Sequence, residues 1–476
     1  MTLFLAARLA FALFSASALA GDSGPANKNS RPKSRLRLEP YAFSTQRGDT
    51  VEAELGHFRV PENRKIRGSR SIELAFVRFK WRHAGRGVPL VFLSGGPGAS
   101  GIDAARGPGF SLFMDLRESG DVIALDQRGT GMSQGDVNCV RIWDFPLDTP
   151  GDPGELLPTV RERLRECAQD VKARGIDLDG YNTEQSADDL EALRETLGVK
   201  QIRVWAVSYG THLALSAIRR HPASIERAVL AGVQGPDDGM MRSPAAVDAQ
   251  IDRLTEHLKT DPTTRKAFPD FRRQLVSLLA ELAEKPAVAP VPDKKTARRP
   301  EIAVGRWDLA FFARPRVSQT WGVRSLPEFL GPMTDHDFTP LAAAALDYRR
   351  APVGSMMPWA TICASGVSPA RLRELQDEAR SAILGAAVNF PFPDACAGVN
   401  VRTLGSRFRS PVRSNVPVLF ISGSLDGETP PGRTNETAAG FPRGTSLIVP
   451  GASHGFDLFY FRPEVRTAIL EFLASP

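Results

Sequence analysis

The run Val204-Trp205-Ala206-Val207-Ser208-Tyr209-Gly210-Thr211-His212-Leu213-Ala214 constrains the fold of this chain more than any other. An apolar stretch feeds a helical pattern through a small-x-Ser-x-Gly turn. Such a turn is tight and strained, so the positions two before and two after the serine must carry almost no side chain. Gly210 meets that demand, and Ala206, the next smallest residue, stands at the other flank. A strand running directly into a helix is half of a βα unit, and βα units build mostly parallel sheets. The remaining apolar runs agree. Val88–Leu93, Asp121–Leu125, Ile202–Val207, Arg227–Leu230, Val416–Ser422 and Ser446–Val449 are rich in Val, Ile and Leu without strict alternation. That is the pattern of strands covered on both faces. Val51–Val60 and Ser71–Arg82 do alternate and read as an antiparallel pair. Glu184–Leu197 reads as an amphipathic helix, with Thr183 available as its cap and Gly198 as its stop.

The 476 residues exceed one small domain. From about 236 to 410 the pattern becomes helical with Pro-rich breaks, as in Ala245–Leu258 and Ala370–Leu384, and Pro286–Pro292 reads as an exposed loop. Strand character returns only at Val416. The expected fold class is therefore α/β: a mostly parallel central sheet flanked by helices. Its core is divided between residues 45–235 and 411–476, with 236–410 inserted as a mainly helical cap.

A serine hydroxyl needs a base to act as a nucleophile at neutral pH. Of the seven histidines, only His454 follows the last strand pattern, in a Gly-flanked turn. Asp426 is the first carboxylate after the apolar run Val416–Ser422, with Glu428 as the fallback. The order Ser208, Asp426, His454 suits a triad in which the acid orients the imidazole and the imidazole takes the serine proton. Two backbone N–H groups would have to hold the oxyanion. Tyr209, following the serine, supplies one. Gly96 of Ser94-Gly95-Gly96-Pro97-Gly98 is the choice for the other, with Gly95 the alternative. The same loop lacks the GxxxxGK[ST] pattern of a phosphate loop. Asp126-Gln127-Arg128-Gly129-Thr130-Gly131-Met132-Ser133 follows another strand pattern and reads as scaffold, with Asp126 and Arg128 bracing the loops around the site.

Residues 1–20 read as a signal peptide: Arg8, the apolar Leu9–Phe14, and the small-x-small Ala18-Leu19-Ala20. Residues 21–44 read as a flexible basic segment. The implied location is secreted or periplasmic. Four cysteines suit an oxidising compartment, and with no CxxC pair they do not suggest a metal site. Three pairings are possible. The sequence-local Cys139–Cys167 and Cys363–Cys396 are favoured, each closing a loop of about 30 residues for roughly 3–4 kcal/mol. A net charge of +6 is mild for this length and does not indicate nucleic acid. No run is long enough for a stable membrane span, and neither a metal nor an organic cofactor is implied.

Together, GGPG at 95–98, DQRGTGxS at 126–133, the SYG elbow at 208–210, LDG at 425–427 and SHG at 453–455 resemble the prolyl iminopeptidase and tripeptidyl aminopeptidase group of α/β-hydrolases. The export signal and the acid–His segment look more like the secreted tripeptidyl aminopeptidases. The resemblance implies the α/β-hydrolase fold, a cap at 236–410, and cleavage of peptides from a free N-terminus. It also implies carboxylates that bind the substrate ammonium. Asp237, Asp238, Glu328, Asp335 and Asp337 are candidates, without a motif to choose among them. Two positions depart from the group: Ser94 stands where iminopeptidases usually have His, which weakens the transfer of proline specificity, and Ala206 replaces Gly. The leading expectation is an exported serine aminopeptidase acting on small peptides. A carboxylesterase or lipase acting on small esters is the alternative, because fold and triad do not determine the substrate. A binding protein on a hydrolase scaffold is disfavoured, since all three triad members are present.

Overall fold

The computed structural model describes residues 36–475 apart from Ala84, Arg86, Gln134 and Lys294; the signal-peptide reading lies outside the described residues. Thirteen strands are present among these residues: β1 (Leu36–Ser44), β2 (Thr50–Pro61), β3 (Ser71–Phe79), β4 (Leu90–Leu93), β5 (Val122–Leu125), β6 (Asn138–Ile142), β7 (Ile202–Val207), β8 (Ile225–Ala231), β9 (Ala287–Pro290), β10 (Glu301–Val304), β11 (Pro352–Ser355), β12 (Val418–Leu425) and β13 (Gly444–Ser453). Nine of them form one sheet in the order β1-β2-β3-β5-β4-β7-β8-β12-β13. From β5 to β13 every neighbour is parallel, and β1, β2 and β3 extend the sheet antiparallel.

The uninterrupted apolar runs are explained by burial on both faces. Val204 and Ala206 of β7 join the cluster of Val91, Leu93, Leu213 and Phe420 on one side of the sheet. Trp205 and Val207 join Phe92, Phe113 and Ile421 on the other. Because these strands are parallel, Gly95, Ser208, Asp426 and His454, each just past the end of its strand, emerge at one edge of the sheet, where ligands of such folds bind.

Three local readings are corrected. Residues 36–44, assigned to a flexible arm, form β1 against β2, with Phe43 buried among Phe79 and Phe110 and supplying the anchor. The helix after Asn182 spans Thr183–Leu197 and is capped by Asn182, whose side chain accepts from Gln185 N at 3.0 Å, rather than by Thr183. Gly198 closes it at φ 67°, as its position suggested. The 286–292 loop contains β9, paired with β10 in a small hairpin.

The stretch 236–410 has its own apolar core, built around Ile251, Leu254, Leu279, Leu309 and Leu346. It is tied to the first part of the chain by β11, which pairs with β6, and by Met356, Met357 and Ala360, which pack on Leu164 and Val171. Both cysteine pairs lie where these two parts pack together, bonded as the local pairing expected: Cys139–Cys167 and Cys363–Cys396. Replacing Cys363 and Cys396 together by Ala should lower stability by about 3–4 kcal/mol, as the chain-entropy account predicts for a loop of this size. Urea unfolding of the oxidised double variant against the parent checks it.

Candidate active site

Ser208 sits between β7 and the helix Tyr209–Arg220 at φ 54° and ψ −128°, a conformation that non-glycine residues rarely adopt. Its N–H donates to Ala231 O at 2.9 Å, holding the turn to the next strand. A side chain at position 210 would place its Cβ 2.2 Å from Leu93 O, so glycine is obligatory there. Ala206 is fully buried between β4 and β8 without such a clash.

The serine meets the histidine directly. His454 Nε2 lies 2.9 Å from Ser208 Oγ, and His454 Nδ1 lies 2.9 Å from Asp426 Oδ2. With Nδ1–H donating to Asp426, Nε2 is left as the acceptor for the serine proton. Asp426 is fully buried, and its other oxygen accepts from Glu428 N at 2.9 Å and Thr429 N at 2.8 Å. Thr429 Oγ1 donates to Asp426 Oδ2 at 2.8 Å and stands 3.2 Å from His454 Nδ1. Sequence reading missed Thr429. Its only signal was its place three residues after the acid, where an aspartate caps the turn that follows it.

The 236–410 segment grips the two loops. His454 N donates to Ser318 O at 3.2 Å and His454 O accepts from Thr320 N at 2.9 Å. Gln250 Nε2 donates to Leu425 O at 2.6 Å, immediately before the acid. In the glycine loop, Gly95 lies against Ser208: an added Cβ would stand 2.8 Å from Ser208 Cβ. Gly96 is one residue further into the turn, at φ 111°. The Tyr209 ring is buried with its hydroxyl 3.1 Å from Thr183 Oγ1, so only its backbone is left for the site.

The sequence profile of the alpha/beta hydrolase fold matches residues 88–458. The chain belongs to the α/β-hydrolase family. It is 30% identical over 167 residues to YuaR of Escherichia coli, named as a hydrolase, covering 35% of this chain and 32% of that one. Similarity to the tripeptidyl aminopeptidase of Streptomyces coelicolor is 28% over 169 residues, covering 34% and 31%. To the serine protease Hip1 of Mycobacterium tuberculosis it is 30% over 160 residues, covering 31% and 30%. The chain thus spans about a third of the length of the curated relatives it matches.

The other candidate carboxylates of this α/β-hydrolase are engaged elsewhere or exposed. Glu428, the fallback acid, makes no bond to His454. It is ion-paired with Arg242 and with Arg314 at 3.0 Å and accepts from Gln319 Nε2 at 3.2 Å. Burial alone would raise its pKa, but the two arginines outweigh burial and hold it at about 2. Asp237 accepts from Ser368 N and Ser368 Oγ, both at 2.7 Å, at the start of the helix Pro369–Ala379. Asp238 accepts from Gly235 N at 2.7 Å, and burial pushes its pKa up to about 6. Glu328 is exposed on the helix Thr320–Leu330; Asp335 and Asp337 are exposed as well. None of these five bonds to Ser208, Asp426 or His454.

Burial works against protonation of His454, but the charge and hydrogen bond of Asp426, with the charge of Glu428, raise its pKa above the usual imidazole value. A base must be neutral to accept the serine proton. Activity should therefore fall as pH drops through a midpoint above about 6.5. Glu428→Gln removes one of the anions and should move that midpoint down. The pH profile of kcat/KM on a non-ionising substrate checks both.

Proposed function

We propose that this chain is an exported serine hydrolase that removes residues or short peptides from free N-termini through an acyl-enzyme. The observation that carries the hydrolase reading is the unbroken relay Ser208–His454–Asp426, with both links at 2.9 Å. In the first half-reaction Ser208 Oγ attacks the scissile carbonyl and its proton passes to His454 Nε2. The oxyanion is held by Tyr209 N–H and a backbone N–H of Gly95-Gly96. The imidazolium then protonates the leaving amine as the C–N bond breaks. In the second, water loses a proton to His454, attacks the acyl carbon and releases Ser208. Residues 236–410 form the cap over this edge of the sheet. Similarity to a tripeptidyl aminopeptidase and a serine protease supports peptides as substrates. Two disulfides support export to an oxidising compartment.

A carboxylesterase is the second reading. It is favoured by one observation: the carboxylates proposed to bind a substrate ammonium are either committed to other partners or exposed. Three chromogenic substrates separate the two: a tripeptide anilide with a free amine, its N-acetylated twin, and a short acyl nitrophenyl ester. Cleavage of the first and not the second is the result expected of the aminopeptidase. Cleavage of the ester alone would overturn that reading in favour of the esterase.

A further inference from the structure

Beside the triad, two guanidinium groups share one carboxylate. Glu428, 3% exposed, faces two guanidinium groups: Arg242 and Arg314, both from the 236–410 segment. Arg242 meets Glu428 Oε2 through Nε and Nη2, and its Nη1 donates to Met240 O at 3.1 Å. Arg314 is used differently. Only its Nη1 reaches Glu428, at 3.0 and 3.4 Å. Among the described residues Nε and Nη2 of Arg314 have no protein acceptor, and 21% of the side chain is open to solvent.

This cation shares Glu428 with residues that contact the triad. Gln319, which donates to the same Glu428 oxygen as Arg314, pairs through its backbone with His454. Glu428 N bonds the triad acid, and the charges of both Glu428 and Arg242 are felt by His454. Two guanidiniums share the Glu428 carboxylate, and two donor atoms of the Arg314 fork are not filled by the described residues. That fork fits a carboxylate.

We propose that Arg314 is a substrate-binding residue that selects molecules carrying a carboxylate close to the scissile bond. This rests on the serine-hydrolase reading above. The carboxylate belongs to an acidic side chain or to a free peptide C-terminus. Arg242 neutralises Glu428, and Glu428 holds Arg314 in place by one end of its guanidinium. The substrate completes the other end.

Two matched pairs test it: a peptide anilide with Glu against Gln next to the cleaved bond, and a short peptide with a free against an amidated C-terminus. The expected result is a preference of about 10- to 100-fold in kcat/KM for the anionic member of one pair, the scale of a charge-assisted hydrogen bond. The pair that responds identifies the source of the carboxylate. In Arg314→Gln the ratio should collapse to about one, in Arg314→Lys part of it should return, and in Arg314→Glu it should invert. Ratios near one in the parent protein, or a preference that survives Arg314→Gln, would overturn the proposal. If no substrate is cleaved in a Ser208-dependent way, the hydrolase reading fails. Calorimetric binding of the same pairs to Ser208→Ala then decides Arg314 on its own: equal affinity within both pairs sinks it.

Discussion

Ser208→Ala is expected to lower kcat by about four to six orders of magnitude while leaving the fold intact. The size follows from the relay. The hydroxyl lies 2.9 Å from His454 Nε2, and without it the imidazole loses the nucleophile it is placed to activate. What remains is transition-state binding by the backbone of the glycine loop and of Tyr209. Alanine is also the mildest change the turn accepts. Ser208 is held at φ 54° by the Ala231 contact and by the tight packing of Gly210, and no hydrogen bond of its side chain supports the strand. The thermal midpoint should therefore move little. Stopped assays at high enzyme concentration, beside a melting curve, check both parts. Equal activity in the variant would place the nucleophile elsewhere.

Arg128→Met should have the largest effect on stability, a loss of about 3–5 kcal/mol. Arg128 is fully buried, and both arms of its guanidinium meet Asp189 at 2.7 Å. Its Nη1 donates to Glu62 O and Gly180 O at 2.5 Å. Methionine fills the space but abandons two buried carbonyls and strips Asp189 of a partner. Arg64, also 2.7 Å from Asp189, keeps that carboxylate from being left wholly unpaired. Arg128→Lys should not rescue the loss, because a single ammonium cannot reproduce the fork. Denaturant unfolding of the three proteins measures it. A midpoint unchanged in Arg128→Met would refute the bracing role. Asp126 braces in the same way, accepting from Ser100 Oγ at 2.6 Å, Ile102 N at 3.0 Å and Met132 N at 2.7 Å.

Much of the sheet was legible because its strands are buried on both faces. Largely apolar runs such as Ile202–Val207 carry a signal that needs no knowledge of their neighbours. The strands β1, β6, β9 and β11 were not, because they are short or half-exposed and their burial depends on what pairs with them. The cap at residue 182 was misassigned by one position because Asn and Thr are both good caps and only the backbone decides between them.

The same division runs through the site. By itself the sequence determined the order of βα units, the Ser208 turn, the choice of Asp426 and His454, and which cysteines lie close enough in the chain to pair. These are local properties: steric limits on a strained turn, runs of apolar residues, the first polar group past a strand. Only the tertiary structure decided that Thr429 braces the Asp426–His454 link, that Ser318 and Thr320 hold the His454 backbone, and that Glu428 is claimed by Arg242 and Arg314. Each of those joins residues more than a hundred positions apart, or turns on which way a loop side chain faces. Charge and hydrogen-bond partnership depend on distances of a few ångströms in space, and distance along the chain does not encode them.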